Sequence, residues 1–119
     1  MGIENRGAQR FDDIGKVVCT EICALPGGLD NISRTGFKVH FPLSVTVELE
    51  NEYELRIALA KKPGEPPLVL MCQPQWVREC ENVTEIGFKT LYSLDQNRYM
   101  EYIEELIEAE NQDYLPEII

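Results

Sequence analysis

Apolar positions recur in this chain mostly every second residue, the period of a strand with one wet face. Tyr53, Leu55, Ile57 and Leu59 follow it, with Glu54 and Arg56 between them, and so do Val45, Val47 and Leu49. Between 14 and 25, the residues Val17, Val18, Cys19, Thr20 and Ile22 favour a strand, and Pro26, Gly27 and Gly28 end it in a tight turn. A second strand enters residues 31–36, and a third leaves them through Phe37, Val39 and Phe41. The apolar stretch Leu68 to Cys72 runs on to Trp76 and Val77, and Pro74 within it requires a bulge or an edge position. Trp76, in an apolar strand, reads as barrel core rather than as a stacking platform. Residues 84–91 complete the strands.

The period then changes. Tyr99, Met100, Ile103, Leu106 and Ile107 make one stripe at helical spacing, with Glu101, Glu104, Glu105 and Glu108 on the solvated side. Ser93 with Gln96 three residues on predicts a capping box. Many short strands and one final helix predict a mainly β fold, a small antiparallel barrel with a C-terminal α-helix packed on it. A chain of 119 residues buries one core. The expected organisation is an N-terminal arm over residues 1–13, a barrel over 14–92, the helix over 93–110 and a tail over 111–119.

Charge narrows the choice of partner. The net charge of −10 disfavours a nucleic acid, whose phosphates are bound chiefly by basic side chains. The imbalance is local, however: residues 95–119 hold one basic group, Arg98, against eight acids, whereas residues 1–40 hold five of each sign. Anion binding therefore belongs at the N-terminal end. No apolar run reaches membrane-spanning length and the polar start is no secretion signal, so a cytoplasmic protein without membrane insertion is expected. Cys19, Cys23, Cys72 and Cys80 fit no common zinc spacing, and His40 is the only histidine. They read as free thiols rather than metal ligands. No catalytic set emerges around His40 or the acids at 48, 50, 52 and 54, so an enzyme is not expected.

Two polar clusters near the N-terminus carry chemistry. Arg6 and Arg10 stand four residues apart on an unpatterned arm, and Asn31, Ser33 and Gly36 form an Asn-x-Ser-x-x-Gly turn. A guanidinium forks to two phosphate oxygens or to the O6 and N7 acceptors of guanine, and an amide offers a base edge both donor and acceptor. Gly36 allows a positive φ or a close backbone approach. The arginine pair alone is weak, whereas the turn pattern arises in only about two shuffles per hundred of such a composition.

Taken with Leu29 and Asp30 before the turn, Phe37, Lys38 and Val39 after it, and the later segments Gln75-Trp76-Val77 and Glu85-Ile86-Gly87-Phe88, the sequence resembles the PilZ domain over about Arg6 to Leu91. That resemblance implies a stand-alone six-stranded barrel that binds cyclic di-GMP through an RxxxR arm and a [D/N]xSxxG turn. It assigns Arg6 and Arg10 to phosphates and guanines, and Asn31 and Ser33 to a guanine edge beside Gly36. Asn5 and Arg34 are further candidates, and Asn5, standing where many members carry a basic residue, bears on how many nucleotides bind. The expected role is a bacterial receptor in motility or biofilm regulation, needing neither metal nor cofactor, whose arm closes on the ligand and signals to an unidentified protein partner. Two rivals are a PilZ-like adaptor that does not bind nucleotide and a small nucleic-acid-binding barrel.

Overall fold

The computed structural model describes residues 9–114; Asn5 and Arg6, assigned above to the ligand, lie outside them. Six strands and one helix follow in order: β1 (Phe11–Val18), β2 (Gly27–Ile32), β3 (Gly36–Phe41), β4 (Tyr53–Leu59), β5 (Leu68–Cys80), β6 (Val83–Thr90) and α1 (Gln96–Tyr114). The strands close into a barrel in the order β1-β2-β3-β6-β5-β4, and every pairing is antiparallel. The six-stranded barrel with a terminal helix is thus as expected.

Alternation builds the core. β4 alternates without a break, with Tyr53, Leu55, Ile57 and Leu59 inward, and Leu68, Leu70 and Cys72 of the neighbouring β5 line the same wall beside them. Phe37, Val39 and Phe41 of β3 and Ile86 and Phe88 of β6 fill the other wall. Tyr99, Tyr102, Ile103 and Leu106 of α1 complete that cluster, so the helical stripe read from the sequence is the face that packs. β1 starts at Phe11, ahead of the expected Ile14, because Phe11 already belongs to the core. It stops at Val18, where the amides of Ile22 and Cys23 both donate to the Cys19 carbonyl and turn the chain.

Three local expectations are corrected. Residues 45–49 form no strand despite their alternation. The flanking strands β3 and β4 are already paired on both edges within the closed ring, so the segment runs as a loop that half-buries Val45 and Val47. It is pinned by Thr84, whose hydroxyl donates to the Leu43 carbonyl (2.8 Å) and accepts the Val45 amide (3.1 Å).

The capping box at Ser93 is likewise absent. The Ser93 hydroxyl donates to the Leu91 carbonyl (2.7 Å) and accepts the Met71 amide (2.8 Å), while Asp95 accepts the Val69 amide (2.7 Å). These side chains dock the start of α1 onto β5 instead of capping its own amides. The helix runs on to Tyr114.

Trp76, read as core, is 42% exposed. The bulge that Pro74 demands lies between Pro74 and Trp76, and beyond Cys72 β5 has no β4 partner, although β6 stays paired with β3, so that Trp76 and Val77, on opposite faces, both meet solvent. Glu81 and Asn82, at φ 53° and 69°, turn the hairpin in the left-handed region that two-residue connections require.

Candidate functional site

The structure brings together two of the sequence elements singled out for chemistry. The Arg10 guanidinium donates through Nη1 to Asn31 Oδ1 at 2.8 Å, both groups exposed. Pairing makes this contact: Asp12 of β1 stands opposite Asn31 of β2, so the residue two positions earlier reaches the turn that β2 enters. Arg10, the second arginine of RxxxR, therefore meets the first residue of the Asn-x-Ser-x-x-Gly turn on one surface.

Behind Asn31, the connection from β2 to β3 is rigid. The Ser33 amide and hydroxyl both donate to the Gly36 carbonyl (2.8 and 3.2 Å), and the Thr35 amide donates back to Ser33 Oγ (3.3 Å). The Thr90 amide of β6 donates to the Thr35 carbonyl (3.0 Å) and fixes the turn from outside the hairpin. Ser33 is fully buried. In this conformation its hydroxyl builds the turn and faces no solvent-side ligand, as the tendency of serine to bond nearby backbone favours.

Gly36 is required by close approach rather than by a positive φ. A Cβ there would overlap the Phe88 carbonyl oxygen of the paired strand, and the positive-φ residues described are Gly64, Glu81 and Asn82. Arg34, at the apex, turns toward the helix and pairs with Glu104 at 2.5 Å.

From Asn31 a row of residues crosses the outer wall. Asn31 pairs with Lys38, Lys38 with Gly87, and Gly87 with Trp76, three interstrand steps or about 14 Å. Gly87 is the gap that seats the tryptophan, since a Cβ there would collide with the indole ring. The sequence contained this signal, a glycine opposite a tryptophan on neighbouring strands, but not the register that joins them.

The next row holds charge in alternation. Asp30 accepts from His40 Nδ1 (2.8 Å) and lies 4.0 Å from Lys38 Nζ, which is also 3.5 Å from Glu85. Arg78 hydrogen-bonds Glu85 from the far side, and that bond, with Lys38, holds the Glu85 carboxyl below its ordinary pKa.

Two clefts flank Asp12. One, of about 520 Å³, lies between Arg10, Lys61 and the α1 residues Leu106, Ala109 and Glu110. The other, of about 580 Å³ and mainly apolar, opens over Ile14, Gly15, Gly28 and His40. Among the described residues, no group of three or more His, Cys, Asp or Glu is placed to hold a metal ion, and no helix is long and apolar enough to cross a membrane.

A closed six-stranded barrel with a terminal helix, carrying the Arg10–Asn31 contact on a polar outer face, is the class that fold and site define. Among solved structures the chain is similar to the inhibitor of motility MotI/DgrA of Bacillus subtilis, with a TM-score of 0.68 at 14% identity, over 92% of this chain and 53% of that one. It thus spans about half the length of that protein, and at this identity the likeness establishes the shared fold. No family model matches the sequence, and no curated protein is similar to it.

Proposed function

We propose that this chain is a PilZ-like receptor for cyclic di-GMP in the bacterial cytoplasm, and that ligand binding changes the conformation of its N-terminal arm and so signals to a protein partner. The observation that carries this reading is the bond from Arg10 to Asn31, which unites on one surface two elements set 21 residues apart. The arginine pair is weak alone and the turn is stronger; together they put a forked cation beside an amide able to read a base edge.

Arg10 donates to a neutral acceptor, Asn31 Oδ1. A phosphate or the acceptor edge of guanine is the stronger partner, because a charge-assisted bond to an anion contributes roughly 1.5–3 kcal/mol against about 1 kcal/mol for an ordinary one. The ligand would displace Asn31 from Arg10 and keep the amide as its own contact, while Ser33 and Gly36 hold the turn in shape. Arg6, four residues before Arg10, is the second arginine of the clamp. Lys38 and the half-exposed Trp76 extend the same row and supply a positive charge and a flat apolar surface. The likeness to an inhibitor of motility supports a regulatory rather than catalytic role.

Isothermal titration with cyclic di-GMP tests the reading. Wild type is expected to bind and Arg10→Ala to lose at least tenfold in affinity, with its thermal midpoint nearly unchanged because the bond it gives up is an exposed one. An unaltered affinity would reject the assignment. The reading as an adaptor without nucleotide draws on one observation, the buried and internally satisfied Ser33 hydroxyl. A flat wild-type titration would favour it.

A further inference from the structure

The carbonyls of Ser33 and Gly36 both converge on one side chain of the helix. The Tyr99 hydroxyl donates to the Ser33 carbonyl at 2.6 Å and lies 3.3 Å from the Gly36 carbonyl, 66 and 63 residues away in the chain. Tyr99 is fully buried, with its ring tilted against Phe37, the residue after Gly36, at a centroid distance of 6.4 Å. On the outside of the same turn, Arg34 pairs with Glu104. The helix thus grips the connection at two points, a buried neutral one and an exposed charged one.

We propose that Tyr99 is a positioning residue for the Asn31–Gly36 turn and that, with the Arg34–Glu104 pair, it couples that turn to α1, so that nucleotide binding is carried to the helix. The choice of cyclic di-GMP as signal rests on the function proposed above; the grip of α1 on the turn belongs to the free protein. An anion arriving at the turn competes with Glu104 for Arg34, and any shift of residues 33–36 moves the carbonyls to which Tyr99 is bonded. Coupling of this kind is reciprocal: a helix that responds to the ligand also sets the ligand's affinity. Burial raises the Tyr99 pKa, which keeps the phenol a neutral donor at any ordinary pH.

The test compares amide hydrogen exchange in wild type, Tyr99→Phe and Tyr102→Phe, free and with saturating cyclic di-GMP, alongside calorimetric affinities. Tyr102 is the control, a buried phenol one turn on whose bond goes to Asp13 of β1 rather than to the turn. In the free protein, Tyr99→Phe is expected to speed exchange of the Ser33 and Thr90 amides about tenfold and Tyr102→Phe to leave their ratio to the core amides unchanged. Affinity for cyclic di-GMP should fall about three- to tenfold in Tyr99→Phe, the value of one hydrogen bond. The ligand should change exchange along residues 99–106 of wild type, and this response should shrink in Tyr99→Phe and in Glu104→Gln, an exposed change that spares the core. Equal turn exchange in free Tyr99→Phe and wild type would overturn the positioning role. Binding with no response in α1 would overturn the coupling. A wild type that binds nothing would overturn the nucleotide as signal, while exchange in the free protein still decides whether Tyr99 holds the turn.

Discussion

Gly36 and Glu85 each act through a contact with a neighbouring strand that a single substitution tests. At Gly36 a single added carbon meets a backbone carbonyl of β6 rather than the end of a flexible side chain, so the strand pair must part to admit it. Gly36→Ala is expected to cost about 1–3 kcal/mol, read as a lower midpoint in urea with an unchanged slope. An unchanged midpoint would mean that the β3–β6 contact is looser than described. Glu85 acts through protonation. Its pKa lies below the ordinary carboxylate value because Arg78 hydrogen-bonds the carboxylate, with Lys38 adding to the effect. A carboxyl held lower in the folded chain than in the unfolded one stabilises fully above pH 4.5, and that contribution disappears as the pH falls through the folded value. Arg78→Ala should therefore lower stability at neutral pH, and wild type and variant should converge as the solution is acidified below 4.5. A gap that persists into acid would show that Arg78 acts through packing instead.

Elements repeat the lesson on a longer scale, because β5 is one strand in two environments. Its first half lines the interior and buries Cys72, whose thiol pKa burial raises far above the ordinary value; its last residue, Cys80, is exposed. Since the thiolate is the reactive form, iodoacetamide is expected to label Cys80 of the native chain and to reach Cys19, Cys23 and Cys72 only after unfolding. Peptide mapping that found Cys72 modified in the native state would contradict the barrel's closure. The same division explains what was legible in the sequence. Alternation in β4 and the stripe in α1 stated the element and the buried face, and Pro74 stated the bulge, because each is a local consequence of periodicity or of a missing N–H. The pattern around Val45 and Val47 was equally regular yet yields a loop, since a strand also needs a free neighbouring edge, and the closed ring offers none. Trp76 had an apolar setting, but how far β5 outruns β4 is a matter of register. Of the candidate site, Arg10, Asn31 and Gly36 were legible as chemistry. The grip of Tyr99 on Ser33 was not, because it joins residues 66 apart in sequence, and Ser33 displays the same motif whether its hydroxyl turns inward or out.

At the scale of the whole molecule, the opposing quantities are the long-range field of an acidic chain and the local attraction of a few cations. The formal charge is −10, and both cyclic di-GMP and single-stranded DNA are anions, so the field alone would exclude both. Acids about 20 Å from a phosphate oppose it by only about 0.2 kcal/mol each in water, and at physiological salt that distance exceeds the Debye length. A charge-assisted arginine bond outweighs several of them. A compact dinucleotide needs only a few cations beside Arg10, even with Asp12 and Asp30 close by, whereas an extended strand must also run past Glu85, and among the described residues the basic side chains of that wall, Lys38 and Arg78, are each paired with acids. Ligand that binds the folded chain alone raises stability by about 2.7 kcal/mol at a hundred times its dissociation constant. For a domain of this size that is a rise in melting temperature of about 10 °C. Cyclic di-GMP is expected to produce that shift in wild type and about half of it or less in Arg10→Ala at the same concentration, while a pyrimidine oligonucleotide at low salt should shift neither. A rise with the oligonucleotide that fades as salt is added would mean that a basic path crosses the barrel after all, and would move the protein to the nucleic-acid-binding class.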